Sequence, residues 1–237
     1  MSDRSDRVLP IEIVSVNVAR PSVLVRWPTK DVLSAIDKRP VAGEFLWLGE
    51  TNLAGDAQAD TRPTPLGGQV HGGPDQAVYA FPAEHYTAFE RAVGRPLAPG
   101  FVGENLTVRG ATEADVCVGD TWAWGDALLQ VTSPRGPCFK LGIRLGRHAL
   151  RTWVREQGLV GWYLRVLQSG LVPTRGTIAV AARHPARVSV LDVHRALQAP
   201  RVAPPHLLAL EPLPEKVRNT LRLAERDLTG GFPERDG

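Results

Sequence analysis

Short apolar runs, broken by Gly, Pro and Asp, follow one another along most of the chain. They extend from Ile11 to about Ala182 and have the length and punctuation of β-strands. Clear examples cover residues 11–16, 44–48, 76–79, 121–124, 127–131 and 177–180. Many short strands separated by turn residues predict a mainly β fold, either a sandwich or a barrel.

Two helices interrupt these predicted strands. Pro82 suits a first helical position, and apolar residues from Tyr86 to Val93 then recur at helical spacing. The second predicted helix covers about residues 148–157 and ends at Gly158, a residue type favoured just after a helix.

The last 50 or so residues have a helical pattern instead. Ser189 can cap a helix that begins at residue 190, and segments bounded by proline supply two more helices, around residues 206–210 and 215–228. We therefore predict a β-barrel domain over residues 10–183 and a small three-helix module over residues 184–237. Modules of this size are typical docking or dimerising units, so a homodimer is one expected assembly.

Charge and hydropathy narrow the class of protein. The 237 residues carry 28 basic and 25 acidic side chains, a formal charge of +3 at pH 7, which argues against a uniformly cationic surface for nucleic acid. The polar amino terminus lacks the apolar region of a signal peptide, and no apolar run approaches the roughly 20 residues that span a bilayer. We expect a soluble, cytoplasmic protein with no membrane and no nucleic-acid partner.

Cys138 is the strongest candidate for chemistry. It lies in the segment 133–140, whose two prolines argue against a helix or a central strand, so the sequence predicts a stiff loop. Arg135 and Lys140 are close enough in sequence to favour the thiolate, the form of cysteine that attacks and binds metals. A cysteine packed under a turn is the alternative, since cysteine is often buried.

Two other features are interpreted as structural. Two cysteines in a chain of this size form no disulfide framework, and Cys117 fits a strand residue, so Cys138 is expected to be a lone thiol in a reducing compartment. Trp162 and Tyr163 are interpreted as core aromatics, with stacking on a cofactor as the alternative.

The paired glycines Gly72 and Gly73 follow His71 and precede a predicted strand. Glycine permits positive φ and a close approach of the backbone to a ligand, so this segment is a candidate anion-holding loop. An ordinary hairpin turn explains the same residues equally well.

Two further polar clusters each leave two interpretations open, and a third has one. Lys38 and Arg39 suit a grip on phosphate or carboxylate, although paired cations are also commonly just solvated. Glu104, beside Asn105, is a candidate proton donor or a solvated loop charge. The residues at 55–56 are interpreted as turn chemistry.

Several well-defined motifs are absent from the sequence. The six histidines and two cysteines show no local spacing of a zinc site. There is also no Gly-x-Gly-x-x-Gly, Walker or Gly-x-Ser-x-Gly motif. The sequence therefore does not indicate a nicotinamide-dependent enzyme, a nucleotide triphosphatase or a serine hydrolase.

Five segments, taken in order, closely resemble the MOSC domain family, whose domain is found at the carboxyl terminus of molybdenum cofactor sulfurases. The segments are residues 34–41, 55–60, 71–79, 103–107 and 133–141. Residues 161–163 and the helical tail resemble the YiiM-like subgroup, and the resemblance covers about residues 10–228.

The resemblance implies a MOSC β-barrel with peripheral helices that binds the molybdenum cofactor, a pterin carrying a phosphate and a dithiolene-bound metal. The invariant cysteine of the family falls on Cys138, the implied metal ligand, its lysine on Lys38 and its glutamate on Glu104. A thiolate is a soft ligand and clustered cations would neutralise the phosphate, which agrees with this implication. Further cofactor-binding candidates are Arg39, His71, Gly72, Gly73, Asn105, Arg135 and Lys140.

Two departures from the family pattern concern access to the site. Residues 61–70 form a longer spacer than usual, and Gln76 stands where relatives often have lysine. The longer loop could alter access to the site, and the missing charge puts a phosphate contact at that position in doubt.

By resemblance, the expected activity is molybdenum-dependent reduction of N-hydroxylated compounds, such as hydroxylaminopurine-type bases and amidoximes. Cys138 would hold the metal, Glu104 or Lys38 would assist protonation, and a separate electron-donor protein would be needed because no flavin or iron–sulfur motif occurs. A non-catalytic carrier that delivers the cofactor or its sulfur to a partner protein is the alternative. A nucleic-acid-binding adaptor is the third hypothesis, which the mixed charge disfavours.

Overall fold

The computed structural model describes residues 10–146, 149–199 and 203–223. Twelve strands lie within these residues. They are β1 (Ile11–Val18), β2 (Ser22–Arg26), β3 (Asp31–Ser34), β4 (Arg39–Pro40), β5 (Phe45–Leu48), β6 (Val78–Pro82), β7 (Leu106–Arg109), β8 (Thr121–Trp124), β9 (Ala127–Pro134), β10 (Trp162–Gln168), β11 (Gly170–Pro173) and β12 (Gly176–Ala182).

Seven of the strands close into a barrel. Its order is β12-β8-β9-β10-β6-β7-β1, and β1 pairs back onto β12 through Ile11 and Ile178. The β6–β7 pair is parallel and the other neighbours are antiparallel. Strand β4 pairs with β1, and the pairs β2–β3 and β5–β11 form two separate two-stranded sheets. The predicted mainly β barrel is confirmed.

Alternating side chains fill the barrel. On β8, Trp122 and Trp124 are buried while Thr121 and Ala123 are only partly so, the period of two expected when one face of a strand packs inward. Trp162 on β10 is fully buried and meets Trp122 edge to face, with ring centroids 5.8 Å apart. Trp162 is therefore the core aromatic that the sequence predicted.

Six α-helices lie in the described part of the chain. They are α1 (Tyr86–Val93), α2 (Phe139–Leu145), α3 (Ala149–Gln157), α4 (Val190–Gln198), α5 (Pro205–Leu208) and α6 (Glu215–Arg222). Helix α3 and its end at Gly158 agree with the prediction, and residue 148 lies outside the described residues. None of these helices is long and apolar enough to cross a membrane.

Two predicted boundaries are wrong. Pro82 ends β6, opposite Val108 of β7, and a 3₁₀ turn separates it from α1, because its extended ψ of 128° continues the strand. Gln76 belongs to a 3₁₀ turn, Pro74–Gln76, and not to a strand, since Gly73 and Pro74 start a tight turn there.

The tail helices pack on the barrel. Ser189 caps α4 as predicted, in a reciprocal capping box with Asp192. Val193 of α4 and Leu221 of α6 are buried in the same hydrophobic cluster as Trp122. The tail thus shares a core with the barrel, while the boundary between two domains at residues 183 and 184 stays a prediction. The predicted helix over 215–228 is too long, because α6 ends at Arg222 and Leu223 has an extended ψ of 125°; residues 224–228 lie outside the described residues.

A second hydrophobic cluster lies around α1, α2 and α3. Phe81 of β6 packs with Phe89 of α1, and Leu141 of α2 and Val154 of α3 belong to the same cluster. This cluster fixes α2 against the barrel wall. As a consequence, it also fixes Cys138, the residue that immediately precedes α2.

Candidate functional site

One cleft, with a volume of about 120 Å³, is lined by most of the predicted site residues. Its wall is formed by the segments 34–38, 52–59, 71–79 and 103–105 and by the chain between β9 and α2. The predicted residues that line it are Lys38, His71, Gly72, Asn105, Arg135, Cys138 and Lys140. The structure thus brings together residues that are up to about 100 positions apart in sequence.

Cys138 is the N-cap residue of α2, with extended backbone angles of φ −98° and ψ 168°. The predicted loop over 133–140 is therefore too long: Pro134 still belongs to β9, opposite Trp162, and Phe139 begins α2. Pro134 is tolerated because it ends its strand. The loop itself is only residues 135–138, which holds the thiol on two rigid elements.

The surroundings of Cys138 favour its thiolate. Burial by itself would raise the pKa of the thiol, but a hydrogen bond from His71 and the positive charges of Arg135 and His71 outweigh burial and lower the pKa to about 6. Cys138 is accordingly mostly thiolate at pH 7. The other cysteine, Cys117, is buried at an isolated antiparallel β-bridge with Ser189, outside the twelve strands, and burial raises its pKa.

Two buried cations flank the thiol. Arg135 and Lys140 are only 6% and 5% exposed, and the Arg135 guanidinium lies 5.1 Å from the ring centroid of Tyr79. Burial lowers the pKa of Lys140, and the negative charge of Cys138 opposes that shift. Among the described residues, no carboxylate forms an ion pair with either cation. We refer to His71, Arg135, Cys138 and Lys140 as the thiol side of the cleft.

On the opposite wall of the cleft, a buried cation pairs with a buried carboxylate. The Lys38 ammonium donates to Asp56 Oδ1 at 2.5 Å, and both side chains are nearly inaccessible to solvent. Asn105 donates to Asp56 Oδ2 at 2.8 Å and accepts from the backbone N–H of Tyr79 at 3.2 Å. Burial lowers the pKa of Lys38, and Asp56 opposes that shift. We refer to Lys38, Asp56 and Asn105 as the carboxylate side.

Glu104 does not line the cleft, although it precedes Asn105 directly. It is completely buried, and its Oε1 accepts hydrogen bonds from Tyr86, from Thr107 at 2.8 Å and from the backbone N–H of Gly100 at 2.7 Å. Burial raises the pKa of the Glu104 carboxyl group. In this geometry the Glu104 carboxylate joins the segments that carry Tyr86, Gly100 and Thr107 behind the cleft wall.

Arg39 and Gly73 also lie away from the cleft lining. Arg39 is exposed on β4 and pairs with Asp37 at 3.1 Å. Gly73 is buried behind the cleft, where its N–H donates to Gln58 Oε1 at 2.8 Å. Its neighbour Gly72 has a φ of 80°, and a side chain there would collide with Gln58, so the close approach of these two segments requires glycine.

Three residues of the site escaped sequence reasoning. Asp56 was interpreted as turn chemistry, yet it is the buried partner of Lys38. Tyr79 and Tyr163 line the cleft beside Arg135, whereas Tyr163 was interpreted as a core aromatic. The signal for Asp56 and Tyr79 was their position inside segments that carry the family resemblance. Tyr163 lies in the segment 161–163, which carries the resemblance to the subgroup, next to the buried Trp162 on β10.

The side chains of the cleft suit a metal whose other ligands belong to an organic cofactor. Among the described residues, no group of three or more His, Cys, Asp or Glu side chains could hold a bare metal ion. Cys138 offers one soft thiolate, and Arg135 and Lys140 offer buried positive charge to an anionic group beside it. These residues fit a phosphorylated organic cofactor that carries a metal.

Comparison with known proteins gives consistent results. The MOSC domain model matches residues 67–179. The chain is 38% identical to YflK of Bacillus subtilis (strain 168) over 183 residues, 77% of this chain and 79% of that protein. It is 34% identical to a reductase of Gibberella moniliformis (strain M3125 / FGSC 7600) over 179 residues, 73% of this chain but 30% of that protein. The crystal structure of YiiM from Geobacillus stearothermophilus superimposes with a TM-score of 0.73 and 31% identity, covering 90% of this chain and 97% of that one.

Proposed function

Since the chain belongs to the MOSC domain family in its YiiM-like form, we propose that it binds the molybdenum cofactor in the cleft and reduces N-hydroxylated compounds. MOSC domains are associated with binding of this cofactor in general. The substrates of the proposed reaction are small molecules with an N–O bond, such as hydroxylaminopurine-type bases and amidoximes.

The observation that carries the proposal is the chemistry of the thiol side. The low pKa of Cys138 makes a soft metal ligand available at neutral pH, and Arg135 and Lys140 remain buried without a carboxylate partner among the described residues. The single negative charge of the Cys138 thiolate lies beside both cations and cannot neutralise two positive charges, so burying them is costly unless a bound anion adds to it. A phosphorylated cofactor supplies that anion.

The residues divide the work as follows under this proposal. Cys138 binds the metal, Arg135 and Lys140 hold the anionic groups of the cofactor, and His71 orients the thiolate through its hydrogen bond. The cofactor, when bound, supplies two-electron and oxygen-transfer chemistry. Lys38 faces the cleft and is the proposed proton source near the departing oxygen, whereas Glu104 supports the wall from behind.

The reductase of Gibberella moniliformis supports an oxidoreductase, because its name states that activity and the matched segment covers most of this chain. That segment is 30% of the relative, so the activity of the whole relative does not transfer directly. We propose that electrons reach this protein from a separate donor protein.

The test begins with protein made in a host that synthesises the molybdenum cofactor. Metal analysis gives the molybdenum content, and reduction of 6-hydroxylaminopurine and benzamidoxime is then followed with reduced methyl viologen as electron donor. Stoichiometric molybdenum with turnover supports the proposal. Bound cofactor without turnover, together with transfer of the cofactor to an acceptor protein, would favour the carrier function instead.

A further inference from the structure

The longer spacer noted in the sequence forms a small ribbon at the edge of the cleft. Its two limbs are held by backbone hydrogen bonds from His71 N–H to the Asp60 carbonyl at 3.0 Å and from Val70 N–H to the Arg62 carbonyl at 2.9 Å. A further bond joins Thr64 N–H to the carbonyl of residue 68 at 3.0 Å near the tip. We refer to residues 60–71 as the ribbon. Its base carries His71, the residue that faces Cys138.

The tip of the ribbon rests on the C-terminal helix α6. The Lys216 ammonium donates to the carbonyl of Gln69 at 3.0 Å and to that of Val70 at 3.4 Å. The Asn219 amide donates to the carbonyl of Leu66 at 3.0 Å. A side chain at Gly67 would collide with Glu215, so the ribbon and the helix are in close contact. Lys216 therefore bonds to the residue immediately before His71.

Helix α6 is itself firmly attached to the rest of the molecule. Leu221 is fully buried in the barrel's hydrophobic cluster, and its carbonyl accepts from Ala203 N–H at 3.0 Å. The Arg218 guanidinium donates to the carbonyls of Glu211 and Leu213, each at 3.1 Å. The helix is thus a fixed support, whereas the ribbon's own hydrogen bonds only join its two limbs.

Arg165 of β10 connects the tail to the segment that follows His71. Asp75, four residues after His71, pairs with Arg165 at 2.8 Å, and Arg165 donates to the carbonyl of Pro212 at 2.7 Å. His71 therefore lies between two points at which the tail holds its segment. A free loop of this length would lose most of its ordering if these contacts were removed.

We propose that Lys216 and Asn219 are positioning residues, which hold the ribbon on α6 so that His71 stays in hydrogen-bond contact with Cys138. This assigns the helical tail a role in the site that docking or dimerisation does not cover. Its consequence for cofactor binding rests on the proposed function, whereas the positioning itself is a property of the protein without cofactor.

The test uses cofactor-free full-length protein. Lys216→Met and Asn219→Leu remove the donors at nearly constant volume, and Lys216→Arg keeps a donor. Hydrogen–deuterium exchange of the amides of Val70 and His71 should accelerate by about tenfold or more in the first two variants and return toward wild type in Lys216→Arg. In protein labelled at histidine, the His71 ring signal, identified by its loss in His71→Asn, should shift or broaden in parallel.

Arg218→Met is the matched control. It removes hydrogen bonds of the same kind from the same helix, but the Arg218 guanidinium donates to carbonyls of the tail, those of Leu210, Glu211 and Leu213. It should leave exchange in the ribbon and the His71 signal unchanged. Wild-type exchange and ring signals in Lys216→Met, or equal changes in Arg218→Met, would overturn the proposal.

Cofactor affinity provides the functional readout. If Lys216 acts through His71, Lys216→Met should weaken binding of the molybdenum cofactor in the wild-type background and have no further effect in a His71→Asn background. Additive effects in the double variant would overturn the assignment of Lys216 as a positioning residue for His71. If no variant and no wild-type protein binds cofactor, the proposed function fails, and exchange and the His71 signal still decide the positioning.

Discussion

The two walls of the cleft bury the same kind of charge in opposite ways. On the carboxylate side, Lys38 is 7% exposed and its ammonium bonds to Asp56, which Asn105 also satisfies. On the thiol side, Lys140 is 5% exposed, and no carboxylate of the described residues pairs with it. The two lysines are almost equally buried, so they differ in whether a carboxylate pairs with the ammonium group.

This difference separates charges that serve the fold from charges that serve a ligand. A buried ion pair is hard to break, because removing one partner leaves the other as an uncompensated charge. A buried cation without a carboxylate weakens the folded state and is retained where function needs it. The following predictions test whether the two walls differ in this way, from the largest expected effect to the smallest.

Cys138→Ser should remove essentially all molybdenum while leaving the fold intact. A hydroxyl group is a much poorer ligand than a thiolate for a soft metal, and the backbone at the N-cap of α2 tolerates serine well. Metal analysis of protein made in a cofactor-producing host measures the effect. Cys117→Ser is the control and should keep its metal, since Cys117 bridges to Ser189 and does not line the cleft. Equal metal in both variants would refute the assignment of Cys138 as the ligand.

Lys38→Met should lower the free energy of unfolding by about 3 kcal/mol, because it leaves the Asp56 carboxylate buried without its cation. Chemical denaturation of the cofactor-free protein measures this loss. Adding Asp56→Asn should recover part of the stability, since the remaining charge is then removed. If Lys38→Met is as stable as wild type, the carboxylate side does not stabilise the fold in the way inferred.

Lys140→Met is the same substitution on the other wall and should lower the stability of the cofactor-free protein much less than Lys38→Met does. It removes a buried cation that forms no ion pair with a carboxylate of the described residues and is compensated only through the charges of Cys138 and Asp60. The dissociation constant for the molybdenum cofactor should rise by about tenfold or more, because one charge-assisted contact is lost. Titration of the pterin fluorescence measures that constant. Unchanged affinity would place Lys140 outside the binding contacts.

Glu104 should produce the smallest effect, a change in how stability depends on pH. Burial raises the pKa of Glu104 in the folded protein above its ordinary value of 4.5, so the folded state holds the proton more tightly than the unfolded chain. Its contribution to stability is therefore present below about pH 4.5 and is lost as the pH rises through the folded pKa. Unfolding curves between pH 4 and 8 should show a shallower decline in Glu104→Gln than in wild type. Parallel curves would contradict a raised pKa.

The sequence by itself determined the features that depend on neighbouring residues. Alternation on β8, the cap at Ser189 and the helix end at Gly158 follow from local sterics and hydrogen bonds, which act over a few residues. The candidate role of Cys138 also came from sequence, because Arg135 and Lys140 are close to it in the chain. The same local reasoning placed Pro82 in a helix, where the pairing of β6 with β7 instead kept it in a strand.

Only the tertiary structure decided which side chains meet. Asp56 with Lys38, His71 with Cys138, and Lys216 with the ribbon are contacts between distant segments, and the barrel's closure brings them together. Glu104 and Asn105 show the reason most directly. Both residues lie in the irregular segment just before β7, where no periodic pattern fixes the side to which a side chain points, so packing against other segments decides which one reaches the cleft. Asn105 therefore lines the site while Glu104, one residue earlier, is buried behind it.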